Sequence, residues 1–206
     1  MTEFDLQRPL MYERYRRNFI LPNYEPKVNG RTRWWECDVF EVTDAGYWRE
    51  YEIKLSRADF FADAKKDRPV AYNYLPGAAR ETKHAVLARG DRAGPSRFWY
   101  VMPAGLIQPE ELPCWAGLIE FTLGRWQVPG QSCVQRERQV VPAPPIHNDK
   151  VDPKIVAHAR SVCYWRMHAE FQAIIRGAAP AASDDGPDQP TTAELFDRMR
   201  AEVAKA

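Results

Sequence analysis

The sequence from Tyr47 to Asp67, YWREYEIKLSRADFFADAKKD, predicts a β-strand that leads directly into a helix. The first part, Tyr47–Leu55, is rich in aromatic residues, which favour strands. Ser56 and Asp59 then have the spacing of a capping box, in which a side-chain oxygen caps the free N–H groups of a first helical turn. We therefore expect a strand over Tyr47–Leu55 and a helix over Ser56–Asp67.

The run before it, Arg33–Val42 (RWWECDVFEV), is also β-rich, and Asp44-Ala45-Gly46 supplies turn residues between the two. The two runs together predict a hairpin. Because side chains alternate along a strand, Glu52 and Lys54 share one face, and Asp38 faces them if the strands pair in that register. The other face carries the residues expected in the core, namely Tyr51, Ile53 and Leu55.

The remainder of the body alternates further strand and helix signals, which is typical of an α/β fold. We predict helices over Leu10–Phe19 and Asp149–Arg176, and strands over Phe98–Met102 and Trp115–Leu123 with a hairpin partner around Trp126–Val128. The segment Tyr72–Ser96 is basic and rich in Gly and Pro, so we expect an irregular insertion there.

The C-terminal part differs from the body. Residues 177–190 combine Pro, Gly and small polar residues, which predicts a flexible linker. Residues 191–206 place Leu195, Met199 and Val203 on one helical face, which predicts a short amphipathic helix that either docks or frays. We therefore expect one domain over residues 1–176, followed by the linker and this helix.

Composition restricts the class of protein. The 206 residues are 45% hydrophobic, enough for a packed core, and no apolar run is long enough to span a membrane. The N-terminus lacks a signal-peptide pattern, and the four cysteines form no CxxC pair, so we expect a cytoplasmic protein with reduced thiols.

Charge is distributed unevenly although the formal net charge is only +1. Between Arg8 and Trp35 there are seven basic residues against two acidic ones, interleaved with aromatic residues. This pattern is typical of a surface that binds phosphates and stacks on bases, and it is equally typical of a solvated face above ordinary core aromatics.

Two carboxylates and one ammonium group have a chemical use when they converge. Asp38, Glu52 and the backbone carbonyl of Ile53 are hard oxygen ligands that suit Mg²⁺. Such an ion polarises a phosphodiester oxygen and lowers the pKa of water, while Lys54 orients that water or offsets charge on the phosphate. The alternative is an exposed strand face with a cross-strand Asp–Lys pair.

These residues resemble the PD-(D/E)XK nuclease superfamily. The spacing of Asp38 and Glu52-Ile53-Lys54 is similar to its core motif, and the run from Glu52 to Lys65 resembles the E-x-K-x-S-x-x-D-F-x-x-D-x-K signature of the MmcB-like DNA-repair and phage-related proteins. The resemblance covers roughly Arg33–Val128. Cys37 stands where the motif has Pro, which removes no ligand.

The resemblance implies a restriction-endonuclease-like core, a central mixed sheet flanked by helices, and hydrolysis of DNA with Mg²⁺ or Mn²⁺. It assigns metal binding to Asp38, Glu52 and the Ile53 carbonyl, and catalysis to Asp38, Glu52 and Lys54. Glu13 either matches an acid from the first helix or pairs with Arg16 or Arg17 on the surface. The residues expected around the metal ligands or against DNA are Glu13, Ser56, Asp59, Asp63, Lys65, Arg16, Arg17, Arg31, Arg33 and Lys83.

Two functional hypotheses follow. The first is a Mg²⁺-dependent deoxyribonuclease in DNA repair, recombination or phage DNA processing, which grips phosphates through its basic N-terminal third and the Arg80–Arg97 segment. The second is a catalytically silent DNA-binding accessory protein of the same fold, whose C-terminal helix recruits a repair or replication protein.

Overall fold

The hairpin expected from the sequence forms the middle of a six-stranded mixed sheet in a computed structural model of the protein. The structure describes residues 2–28, 32–69, 80–125 and 132–175. The strands are β1 (Phe19–Tyr24), β2 (Lys27–Val28), β3 (Thr32–Arg33), β4 (Cys37–Val42), β5 (Trp48–Ile53), β6 (Asp67–Pro69), β7 (Arg80–Thr82), β8 (Arg97–Pro103), β9 (Ala116–Arg125) and β10 (Ser132–Val141). The helices are α1 (Glu3–Arg14), α2 (Arg57–Asp63), α3 (Lys83–Ala88) and α4 (Pro153–Ile175), with a 3₁₀ turn at Pro109–Glu111.

The strand order in the sheet is β1-β4-β5-β8-β9-β10. Antiparallel pairs form at both ends, β1 with β4, β4 with β5 and β9 with β10, while β8 runs parallel to both β5 and β9. The short strands form two separate ladders, β2 with β3 and β6 with β7. The predicted fold class, a mixed sheet flanked by helices with a C-terminal helix, is confirmed.

The chain divides into two compact units, residues 1–156 and 157–206. The first contains the sheet, and the second contains most of α4. Within the part of the chain that is described, no helix has both the length and the apolar character needed to cross a membrane. The linker and short helix predicted over residues 177–206 lie outside the described residues, so the proposed domain boundary stays a prediction.

The β4–β5 turn depends on one glycine. Gly46 has a φ of +84°, a left-handed conformation that other residues adopt only with strain, and its N–H donates to the carbonyl of Thr43 at 2.8 Å. The resulting register places Val39 opposite Tyr51 and Phe40 opposite Glu50. The turn therefore fixes which side chains of the two strands meet on each face.

One face of the sheet carries the apolar core, and α1 covers it. Leu6 and Leu10 of the helix pack in one cluster with buried side chains of four strands, namely Val39, Tyr51, Ile53, Trp99, Val101, Ile119 and Phe121. The prediction for Tyr51 and Ile53 is confirmed. The prediction for Leu55 is wrong, because β5 ends at Ile53 and Leu55 is 37% exposed.

The other face is covered by α2 and α3. Ser56 Oγ accepts a hydrogen bond from the N–H of Asp59 at 3.1 Å, so the predicted cap is present, and α2 spans Arg57–Asp63. Phe60 of this helix packs edge-on against Tyr100 of β8, with ring centroids 4.9 Å apart. The helix that follows the hairpin therefore returns over the face that carries Glu52.

The first predicted helix is wrong in position. The first helix spans Glu3–Arg14 instead of Leu10–Phe19, because Thr2 and Asp5 form a capping box at its start. Phe19–Tyr24 is instead the edge strand β1, which contains Pro22. A proline is tolerated in an edge strand because backbone groups on its outer side need no hydrogen-bond partner in the sheet.

The segment predicted as an irregular insertion also contains regular structure. Residues 80–88 form β7 and α3, and the hydroxyl of Thr82 caps α3 by accepting from the N–H of Ala85 at 3.2 Å. Trp126–Val128 lies outside the described residues, and the strand that pairs with β9 is β10. The long C-terminal helix is confirmed, beginning at Pro153 after Asp152, whose side chain accepts from Lys154 N–H at 2.8 Å.

Candidate active site

The β4–β5 pair sets Asp38 against Glu52. The β4–β5 ladder ends at the pair Val39–Tyr51, so Asp38 and Glu52 follow directly beyond it on the two strands, and the Glu52 charge acts on Asp38. Asp38 Oδ2 also accepts a hydrogen bond from the backbone N–H of Ile53 at 2.6 Å. The three residues expected to supply metal ligands are therefore neighbours in space.

Three lysines surround the carboxylate of Glu52, which is only 2% exposed. Its Oε1 lies 2.8 Å from Lys54 Nζ and 3.0 Å from Lys66 Nζ, and its Oε2 lies 2.7 Å from Lys83 Nζ. Burial acts to raise the pKa of Glu52, but the charges of Lys83 and Lys54 outweigh burial and lower it. Glu52 is thus held as a carboxylate.

Asp63, the last residue of α2, holds the opposite side of Lys54. Its Oδ1 lies 3.0 Å from both Lys54 Nζ and Lys66 Nζ. Its Oδ2 accepts a hydrogen bond from the Tyr100 hydroxyl at 2.8 Å and lies 3.2 Å from His84 Nε2. Burial opposes ionisation, but the hydrogen bond with His84 and the charge of Lys54 lower the pKa of Asp63. Lys54 is therefore clamped between two carboxylates.

Lys83 links this cluster to a further buried acid. Its Nζ lies 2.6 Å from Glu50 Oε1, and Glu50 Oε2 accepts a hydrogen bond from Trp34 Nε1 at 2.8 Å. Lys83 was expected either around the metal ligands or against DNA, within an irregular segment. The structure buries it, 1% exposed, at the start of α3 and in contact with Glu52.

The first helix also approaches Asp38 and Glu52. Gln7 Nε2 donates to the backbone carbonyl of Asp38 at 2.7 Å, which ties α1 to β4. Glu3, the first residue of the helix, is near enough for the Glu52 charge to act on it, and burial together with that charge raises the pKa of Glu3. The acid that α1 brings towards the site is thus Glu3, whereas the side chain of Glu13 lies outside the described part of the chain.

The oxygen donors fit a hard divalent cation. Burial and the adjacent Glu52 carboxylate raise the pKa of Asp38 well above its usual value. Carboxylate and carbonyl oxygens are the ligands that Mg²⁺ prefers. Across the described ranges, however, no three His, Cys, Asp or Glu side chains are gathered as a metal-binding group. The Ile53 carbonyl and water would have to complete the coordination.

The other residues expected near the site have varied positions. Ser56 and Asp59 form the cap of α2, which is a sufficient reason for their spacing. Lys65 is exposed after the same helix, and its neighbour Lys66, rather than Lys65, reaches the acids. Arg16 and Arg17 are exposed in the turn after α1. Arg31 and the side chain of Arg33 lie outside the described residues.

Several arginines of the Arg80–Arg97 segment already have protein partners. Arg80 pairs with Asp67 at 2.7 Å, Arg89 with Asp91 at 2.9 Å, and Arg92 with Asp149 at 3.4 Å. These pairs are at the surface, where they contribute little to stability. Phosphate binding by this segment stays a prediction that requires the arginines to exchange partners.

Sequence reasoning gave no role to four residues of the cluster, namely Glu50, Lys66, His84 and Tyr100. Alternation along β5 already placed Glu50 on the face of Glu52, which was a usable signal. His84 and Tyr100 meet at 2.7 Å only because α3 packs beside β8, a contact between separate parts of the chain. No local spacing could have predicted it.

Comparisons with known proteins inform the fold alone. No family model matches this chain, and no curated protein matches it. Among solved structures, it is similar to the SPO1766 protein of unknown function from Silicibacter pomeroyi, with a TM-score of 0.50 and 18% sequence identity. The match covers 88% of this chain and 94% of that one. At this identity the similarity extends to the arrangement of helices and strands and not to activity.

Proposed function

We propose that this protein is a metal-dependent nuclease that hydrolyses DNA phosphodiester bonds with Mg²⁺ or Mn²⁺. The observation that carries the proposal is that Asp38 accepts a hydrogen bond from the backbone of Ile53, directly beside Glu52, whose carboxylate lies 2.8 Å from Lys54 Nζ. Each of two adjacent carboxyl groups makes ionisation of the other less favourable, and a cation bound by both offsets that cost. A fixed ammonium group beside them has a use in phosphodiester hydrolysis.

Each residue has a defined part in this proposal. Asp38, Glu52 and the Ile53 carbonyl hold the cation, which when bound polarises a phosphodiester oxygen and lowers the pKa of water. Lys54 orients the attacking water or offsets negative charge that develops on the phosphate. Because Lys54 is clamped by Glu52 and Asp63, its ammonium group is already in place before substrate binds.

Tyr100 and His84 act behind Asp63 as positioning residues. Both contact Asp63 Oδ2, while Lys54 contacts Oδ1. They therefore hold the Asp63 carboxylate in the orientation in which it contacts Lys54. We further propose that DNA is the substrate, that the setting is DNA repair, recombination or phage DNA processing, and that the location is cytoplasmic, as the reduced cysteine usage supports.

A second candidate function is a DNA-binding accessory protein without catalysis, which recruits a repair or replication protein through its C-terminal segment. One observation favours it: both oxygens of Glu52 already contact ammonium groups. A carboxylate saturated in this way needs no metal to be stable in the interior.

A cleavage assay separates the two candidates. Labelled single-stranded, duplex and flap DNA are incubated with wild type, Lys54→Ala and the exposed-charge control Lys154→Ala, in Mg²⁺, Mn²⁺ or EDTA. The nuclease predicts cutting by wild type and Lys154→Ala that EDTA and Lys54→Ala abolish. Salt-sensitive DNA binding without cutting would favour the accessory protein.

A further inference from the structure

Lys66 duplicates the contacts of Lys54 from the protein surface. Lys66 Nζ lies 3.0 Å from Glu52 Oε1 and 3.0 Å from Asp63 Oδ1, the two oxygens that Lys54 Nζ also contacts. The side chain of Lys54 is 2% exposed, whereas that of Lys66 is 49% exposed. Two cations thus share one pair of acceptors, and only one of them is enclosed.

Lys54 and Lys83 are fixed in place. The backbone N–H of Lys54 donates to the carbonyl of Val101 at 2.9 Å, at the end of β5. Lys83 is 1% exposed and also ion-paired with Glu50. Withdrawing either ammonium group would leave a buried carboxylate short of a partner. Lys66 follows the end of α2 and is half-exposed, so its ammonium group has water within reach when it leaves the two carboxylates.

The charge of the cluster favours one additional cation, but not both Lys66 and a divalent ion. In the form that would hold a metal, with Asp38 ionised, four carboxylates (Asp38, Glu50, Glu52 and Asp63) and three lysines (Lys54, Lys66 and Lys83) give a net charge of −1. A divalent ion beside Glu52 would make this +1, and release of Lys66 would return it to zero. Like charges a few ångströms apart repel strongly where water is largely excluded.

We propose that the Lys66 ammonium group competes with a divalent cation for Glu52 and is displaced when that cation binds Asp38 and Glu52. This inference rests on the proposed metal-dependent function. Lys66 is then a residue that sets the metal affinity of the site, because each binding event must first remove its ammonium group from Glu52 and Asp63.

Calorimetric titration with Mn²⁺, in the absence of DNA, tests the inference. Wild type is compared with Lys66→Met and with Lys65→Met as the matched control. Lys65 is the adjacent exposed residue, and among the described residues its ammonium group has no ion-pair partner. Both variants lose one positive charge at neighbouring surface positions, so non-specific changes in Mn²⁺ attraction are the same.

We expect Lys66→Met to bind Mn²⁺ about tenfold more tightly than wild type, which is the order of effect of removing one adjacent, half-exposed like charge. Lys65→Met should stay within twofold of wild type. Lys66→Gln provides a second variant with the same expectation if the methionine variant aggregates.

The outcomes separate the inference from the function it rests on. Saturable Mn²⁺ binding by wild type that Lys66→Met and Lys66→Gln leave unchanged, or weaken, overturns the displacement of Lys66 and leaves the nuclease proposal intact. An absence of Mn²⁺ binding in wild type and all variants at millimolar metal overturns both.

Discussion

Replacing Asp63 by asparagine tests the clamp on Lys54 directly. Asparagine keeps the shape of the side chain and can still accept from the Tyr100 hydroxyl, but it removes the charge that faces Lys54 at 3.0 Å. Lys54 is 2% exposed and cannot regain water without disturbing the sheet. Asp63→Asn therefore isolates the charge pair from the packing around it.

Removing one partner of a buried ion pair costs about 3–5 kcal/mol. Two features place the expected loss at the lower end, near 3 kcal/mol. Glu52 still pairs with Lys54 at 2.8 Å, and Lys66 can turn into water since it is 49% exposed. With a urea dependence of about 2 kcal/mol per molar, this loss lowers the midpoint of unfolding by about 1.5 M.

Urea unfolding of wild type, Asp63→Asn and Asp59→Asn provides the measurement. Asp59 is exposed in the first turn of α2, where a carboxylate contributes less than about 1 kcal/mol through the helix dipole. The double variant Asp63→Asn/Lys54→Met should recover part of the loss, because it also removes the buried ammonium group that has lost one of its two carboxylate partners. A loss below about 1 kcal/mol for Asp63→Asn, or no recovery in the double variant, would refute the clamp.

The same variant has a pH signature. The pKa of Asp63 is lowered on folding, so its carboxylate stabilises the folded state above the unfolded pKa of about 4, and this contribution is lost as pH falls below that value. The difference in unfolding free energy between wild type and Asp63→Asn should therefore be constant from pH 6 to 8 and shrink below about pH 4. A difference that is independent of pH down to 3 would contradict an electrostatic origin.

Two further predictions concern Asp38 and the cysteines. Folding raises the pKa of Asp38, so ionisation of this carboxyl group costs stability. In EDTA, Asp38→Asn should therefore stabilise the protein by about 1 kcal/mol, increasingly as pH rises through that pKa, and it should abolish cleavage. Urea unfolding at several pH values would contradict this if the variant were less stable than wild type throughout. Cys37 is buried with a raised thiol pKa, whereas Cys114 is exposed. In a thiol-labelling time course, Cys114→Ser should therefore remove one fast-reacting thiol and Cys37→Ser none. Fast labelling of Cys37 would contradict the buried position of Cys37 in β4.

Local patterns were sufficient for the hairpin and the helix after it. Alternation along β5 predicted that Tyr51 and Ile53 face the core, and the turn at Gly46 fixes the register that sets Asp38 against Glu52. Both depend on residues close in sequence, where strand period and turn chemistry leave few options. The capping residues of α2 were predictable for the same reason.

The remainder of the cluster depends on contacts between distant segments. Lys83 enters from α3, thirty-one residues after Glu52, in a stretch whose Gly and Pro content suggested an irregular loop. Tyr100 reaches Asp63 because β8 adds to β5 in parallel, a pairing with no sequence signal of its own. Lys66, and not the predicted Lys65, reaches the acids because α2 ends at Asp63. The end of a helix can be predicted only to within one or two residues, which is enough to exchange these neighbours.

A crystal of the protein soaked in Mn²⁺ and measured at an X-ray wavelength with strong manganese anomalous scattering would show whether Asp38 and Glu52 bind a metal. We expect an anomalous peak within about 2.5 Å of carboxylate oxygens of Asp38 and Glu52 and of the Ile53 carbonyl, a typical range for such ligands. The same soak of Asp38→Asn should show no peak there. No peak at these residues in saturating Mn²⁺, with Lys54, Lys66 and Lys83 still bound to Glu52, would contradict the metal site and with it the nuclease.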